Sequence, residues 1–83
     1  MKQITRKQVL KNLAIFMLIN ESNFKYNAKK NTFESSYFLL ILHANNLVQI
    51  TDKKNNKDVF INFTFMNVKE FRTKLFNFIT LPF

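Results

Sequence analysis

The sequence predicts a small α+β domain, and three features of the chain point to it. Residues 5–20 carry apolar side chains at helical spacing: Val9, Leu13, Phe16 and Ile19, with Leu10 and Met17 widening the face. Val59, Ile61, Phe63 and Phe65 alternate with Phe60, Asn62, Thr64 and Met66, the period of a half-buried strand. Before it, Leu47-Val48-Gln49-Ile50-Thr51 has strand composition, and the run from Asp52 to Lys57 has that of a turn, so the two make a hairpin. The expected order is helix, strand, helix, strand, strand, with a short antiparallel sheet and a C-terminal linking strand. Eighty-three residues suit a single domain over 1–83.

The first helix takes Thr5 as its N-cap. Lys7 and Lys11, four apart, share one exposed face, with Lys2 and Arg6 nearby. The first twenty residues hold no acid, which invites a targeting reading. The apolar run 13–19 is short for a secretory signal and no small-residue cleavage site follows. Serine and arginine are scarce for a mitochondrial presequence, so the segment reads as structure. No apolar run approaches the ~20 residues that cross a bilayer.

Residues 20–31 form a polar connection with Lys25, Lys29 and Lys30 around Phe24 and Tyr26. Two readings stand: a loop that grips phosphate and stacks on bases, or a solvated loop with Phe24 tucked into the core. Residues 30–34 read as a short strand. Ser35 or Ser36 then caps a helix over 36–46, whose residues Phe38, Leu39, Leu40, Ile41 and Leu42 are all apolar. Asn45-Asn46 ends it, because asparagine tolerates the left-handed conformation. Strands follow near 47–52 and 58–66. The expected core joins Leu39 or Leu40, Ile41 or Leu42, Ile50, Ile61 and Phe63 to Leu13 and Phe16. Beyond residue 66 the pattern is two-sided. Asn67 and Glu70 resemble a capping box with Val68, Phe71 and Leu75 at helical spacing, while Leu75-Phe76-Asn77-Phe78-Ile79-Thr80 is good strand composition.

The chemistry is sparse. With 47% hydrophobic residues and eleven phenylalanines the chain is no disordered tail. Without cysteine it has no disulfide or thiolate metal site, and without glycine no glycine-rich phosphate loop. The five acids Glu21, Glu34, Asp52, Asp58 and Glu70 show no paired spacing for acid–base or metal chemistry. His43, the single histidine, sits in an apolar stretch and reads as structural. The expectation is a protein that is not an enzyme, with no cofactor and no metal.

Charge is the stronger signal. The net charge is +8, and residues 1–33 carry +6 of it against +2 for residues 34–83. That asymmetry predicts a polyanionic partner, nucleic acid, met by Lys2, Arg6, Lys7, Lys11, Lys25, Lys29 and Lys30, with the Ser35 and Ser36 hydroxyls as positional donors. The absence of glycine beside twelve asparagines and eleven lysines is the composition of an AT-rich genome: an organelle, a reduced bacterium or some viruses.

On particular residues the chain resembles the N-terminal half of small-subunit ribosomal protein eight, the S-eight family. Met17-Leu18-Ile19-Asn20 looks like the end of that family's first helix. Thr32-Phe33-Glu34-Ser35-Ser36-Tyr37 is similar to its short strand and Pro-Ser-Ser-Lys turn, with Glu34 for the proline and Tyr37 for the lysine. Leu39-Leu40-Ile41-Leu42, leading to Leu47-Val48-Gln49-Ile50-Thr51, resembles its second helix and the start of its hairpin. Lys74 to Phe83 resembles its linking strand. The resemblance implies a structural component of a small ribosomal subunit, in a split or truncated organellar version whose C-terminal RNA-binding half is absent. Its partners would be rRNA, other ribosomal proteins and a separate chain carrying the missing half. Its location would be the mitochondrial ribosome or, alternatively, the cytoplasm of an AT-rich bacterium. Phe76, Phe78, Ile79, Leu81 and Phe83 crowd the end of the chain as a partner-binding surface. The alternative is a winged-helix DNA-binding module, with residues 37–44 as its helix and Lys53, Lys54 and Lys57 on the wing; a purely structural adaptor is the third class.

Overall fold

A computed structural model describes residues 2–21 and 23–77. The chain is α+β: helix α1 (Arg6–Asn20), strands β1 (Lys25–Asn27), β2 (Thr32–Glu34), β3 (Phe38–His43), β4 (Leu47–Asp52) and β5 (Lys57–Asn62), then helix α2 (Val68–Asn77). The strands make one antiparallel sheet in the order β1-β2-β3-β4-β5.

Helix α1 begins where its cap predicts. Thr5 Oγ1 accepts from the Gln8 backbone N–H at 3.1 Å and Gln8 Oε1 accepts from the Thr5 N–H at 2.9 Å, closing a capping box. It buries Val9, Leu13, Phe16 and Met17; Ile19, expected on that face, is exposed. Buried Asn12 donates Nδ2–H to the Gln8 carbonyl at 2.8 Å, so its burial leaves no orphan donor.

The helix expected over 36–46 is not formed: this segment is strand β3 and the loop after it. In register, Leu40 faces Phe33 and Ile50, and Leu42 faces Val48, on the covered side of the sheet. Leu39 and Ile41 stand on the other side, opposite Thr51 and Gln49. Apolar residues on both faces erase the period of two, and an unbroken run of this length fits a buried helix or a strand equally. Ser35 consequently caps no helix. Its Oγ accepts from the backbone N–H groups of Tyr37 (3.2 Å) and Phe38 (3.1 Å) and donates to Glu21 Oε1 at 2.6 Å, pinning the β2–β3 turn.

Asn45 and Asn46 do have left-handed backbones (φ 61° and 59°), but in the β3–β4 hairpin loop and not at a helix end. Asn31 and Asn56 carry φ of 53° and 54° in the β1–β2 and β4–β5 loops. A chain without glycine gives these positions to asparagine, the residue with a Cβ that tolerates them best. Strand β1, three exposed residues within the polar connection, has no sequence signal.

The linking strand expected at the C-terminal end is helix α2 as far as Asn77. Asn67 Oδ1 accepts from the Glu70 N–H at 2.8 Å and Glu70 Oε1 from the Asn67 N–H at 3.2 Å, so the capping-box pattern prevails over strand composition. Phe71 and Leu75 are buried.

Both helices lie under one sheet face. The core joins Leu13, Phe16 and Met17 of α1 and Phe71 and Leu75 of α2 to Phe33, Leu40, Leu42, Val48, Ile50, Ile61 and Phe63. Phe16 meets the Phe38 ring edge-on at 5.4 Å and Phe76 at 6.1 Å, while Phe63 meets Phe71 at 6.1 Å. The Ile4 N–H bonds the Met66 carbonyl at 2.7 Å, and Lys2, Thr5 and Gln8 share a shallow cleft with Asn67, Val68 and Lys69. The two helices therefore start side by side and run in the same sense. The Arg6 guanidinium donates to the His43 carbonyl at 3.1 Å, which sets the helix starts at the end of the sheet where β1–β2 and β3–β4 turn. The β2–β3 and β4–β5 turns lie at the opposite end, with the end of α1.

Candidate nucleic-acid interface

The fold sorts charge by end, not by position in the chain. At the helix-start end stand Lys2, Arg6 and Lys7 around the start of α1, Lys69 in the first turn of α2, and Lys29 and Lys30 on the β1–β2 loop, all exposed. Asn27 Oδ1 accepts from the Lys29 and Lys30 backbone N–H groups (3.0 and 3.2 Å), which shapes that loop locally. Two helix N-termini add partial positive charge here. The first turn of α1 holds no acid. Glu70, the one acid at this end among the described residues, is bound into the cap of α2. Lys11 lies one turn further along α1.

Glu21, Glu34, Asp52 and Asp58 gather at the opposite end, interleaved with Lys25, Lys53, Lys54 and Lys57. There Lys53 Nζ bridges Glu34 Oε2 (2.7 Å) and the Ser35 carbonyl (2.8 Å). The hydrogen bond and charge of Lys53 hold the Glu34 carboxyl below its ordinary range. Asp52 is lowered as well, first by the Asn55 side-chain amide at 2.7 Å and then by the Asn55 and Lys54 backbone N–H groups. A carboxylate whose folded pKa is depressed stabilises the fold above its unfolded value and loses that contribution as pH falls through the folded one. The melting temperature should therefore hold down to about pH 4 and fall below it. Asp52→Asn should flatten that acid limb, and an unchanged limb would count against the carboxylate's role.

Of the residues expected to bind RNA, Lys2, Arg6, Lys7, Lys29 and Lys30 come together, with Lys11 trailing. Ser35 and Ser36 do not join them: they line a mixed-charge cleft at the opposite end with Glu34 and Lys53. Lys25 lines that cleft too, and along the edge strand β1 it shares a second one with Lys29, Lys30 and Glu34. The Ser35 hydroxyl is already engaged three times. Phe24 packs against Phe33 at 6.2 Å and Tyr26 stacks on it at 4.6 Å, so these rings serve the fold. Lys69 was missed by sequence reasoning; the Asn67–Glu70 cap was the signal that puts it in a first helical turn. Among the expected partner-binding residues, Phe76 is half-buried against Phe16. Phe78, Ile79, Leu81 and Phe83 lie outside the described residues.

His43 bonds Gln49 Oε1 through Nε2 at 2.8 Å, and Gln49 continues to Thr51 Oγ1 at 3.3 Å, a chain across the uncovered sheet face. Among the described residues no three His, Cys, Asp or Glu side chains come together to hold a metal, and no helix is long and apolar enough to cross a membrane. Comparisons with family models, curated proteins and solved structures give no match. What the basic end offers chemically is a set of exposed cations around two helix starts and on a hairpin loop, suited to spaced phosphates.

Proposed function

We propose that the chain is a non-catalytic RNA-binding component of a ribonucleoprotein particle, gripping backbone phosphates with its helix-start end. The observation that carries this reading is the sorting of charge: Lys2, Arg6, Lys7, Lys29, Lys30 and Lys69 against Glu70 at one end, four of the five acids at the other. Cations spread around two helix starts and a hairpin loop neutralise phosphates without reading bases, so attachment should be salt-sensitive and weakly sequence-dependent. The small ribosomal subunit, mitochondrial or bacterial, is the particle the sequence resemblance suggests. The family's element order has a helix where this fold has β3, so the ribosomal particle enters as one to be tested. The winged-helix alternative has the weaker support: strand β3 occupies the segment of its recognition helix, and Lys53 of the wing is tied to Glu34.

The test is RNA binding measured by fluorescence anisotropy across a salt series, with co-sedimentation on small ribosomal subunits at low salt. Binding that falls linearly in log–log form with salt is expected, with release from the particle at high salt. RNA affinity that is absent, or indifferent to salt, would overturn the proposal.

A further inference from the structure

We infer that Phe65 is a stacking platform for an unpaired base, so that the polyanion taken at the helix-start end is single-stranded RNA; this rests on the phosphate-binding reading above. Phe65 is 89% exposed, far more than Phe60 at 56% or Tyr37 at 53%. Its φ is 68°, a region unfavourable for a bulky side chain. Among the described residues the four other left-handed positions are all asparagine, so this fold has a ready solution for such a site and does not use it here. The backbone around it is fixed from both sides. The Met66 N–H bonds the Phe63 carbonyl at 3.0 Å, the Thr64 N–H bonds Asn62 Oδ1 at 3.0 Å, and Asn46 Nδ2 donates to Thr64 Oγ1 at 3.2 Å. A solvated phenyl ring is thus held on a strained, well-tied turn.

Its neighbours determine what the ring suits. Lys69 follows four residues later, and the Ile4–Met66 bond brings the segment bearing Lys2 beside it. From Phe65 the rim continues past Asn46, which accepts from the Phe63 N–H, to Arg6 on the His43 carbonyl and to the Lys29–Lys30 loop. Strand spacing makes this rim about 19 Å wide over the five strands. An aromatic face among spaced cations suits a strand whose bases are free to stack, and it gives no advantage on a duplex, whose bases are already stacked. Phosphate attraction alone needs no ring.

The variant Phe65→Asn tests this, because it removes the ring and relieves the backbone together. Its binding to an oligouridylate should weaken by about tenfold, while binding to an RNA duplex of equal charge and to inorganic polyphosphate stays unchanged. Its melting temperature should rise, which a merely structural role for Phe65 would not give. Tyr37→Leu, an exposed ring removed at the acidic end, should alter none of the three affinities. Equal losses on all three ligands, or no loss on the oligouridylate, would overturn the inference and leave the phosphate reading standing. Lack of salt-dependent binding by the unaltered protein would remove both. Ring-dependent binding to phosphatidylserine vesicles with none to the oligouridylate would make Phe65 a membrane contact and overturn the inference.

Discussion

Phe16→Ala should destabilise the domain by about 3–5 kcal/mol, the largest loss from any single core truncation here. Phe16 is fully buried, meets Phe38 of the sheet edge-on and Phe76 of α2 at a tilt, and so ties both helices to the sheet. Truncation removes transfer energy and leaves a cavity that two helices and a sheet cannot close together. Domains of this size hold roughly 4–12 kcal/mol in total, so the variant should be partly unfolded at 37 °C. Leu18→Ala, on the outer side of α1 at 68% exposure, should stay within about 0.5 kcal/mol of the parent. Urea unfolding of the two variants checks the pair, and similar midpoints would mean that α1 does not dock as described.

How much of this was legible in the sequence depends on whether one face of an element stays polar. Helix α1 was legible, because Thr5 and Gln8 cap it and its lysines leave the core stripe distinct. Strand β5 was legible as far as Asn62, with Ile61 inward against Phe60 and Asn62 outward. Beyond it the expected strand to residue 66 is not formed, because the chain turns after Phe63, and Phe65, grouped with Ile61 and Phe63, is exposed. Of the expected core, Ile50, Ile61 and Phe63 do pack with Leu13 and Phe16, and the two choices left open fall to Leu40 over Leu39 and Leu42 over Ile41. Strand β3 was misread because Leu39 and Ile41 are apolar on the uncovered face, which hides the alternation. The Asn45-Asn46 signal was read with the right backbone and the wrong element, since left-handed residues end helices and turn hairpins alike. For the binding end, the chain showed which residues are basic but not which would meet. Only the meander brings Lys29 and Lys30 to the end where both helices start, and only the same meander carries Asp52 and Asp58 away from it.

That last distinction is measurable, since it separates local charge from net charge. Lys29→Gln, Lys30→Gln and Lys69→Gln together should make the salt dependence of RNA binding shallower by roughly 2 in log–log slope, at about 0.7 for each phosphate of a single strand that is no longer neutralised. Referred to 1 M salt, that is roughly a hundredfold weaker binding at 0.1 M. The matched triple Lys54→Gln, Lys57→Gln and Lys74→Gln removes the same charge but lies outside the helix-start end and spares the Lys53–Glu34 bridge. All six side chains are exposed and none holds the core, so both triples should keep the parent's unfolding midpoint within about 0.5 kcal/mol. The matched triple should lose only the diffuse contribution of net charge, which is screened over the Debye length of ~10 Å at 0.1 M. Equal slopes for the two triples would mean that the protein binds RNA through overall charge, and the basic end would lose its claim to be a site.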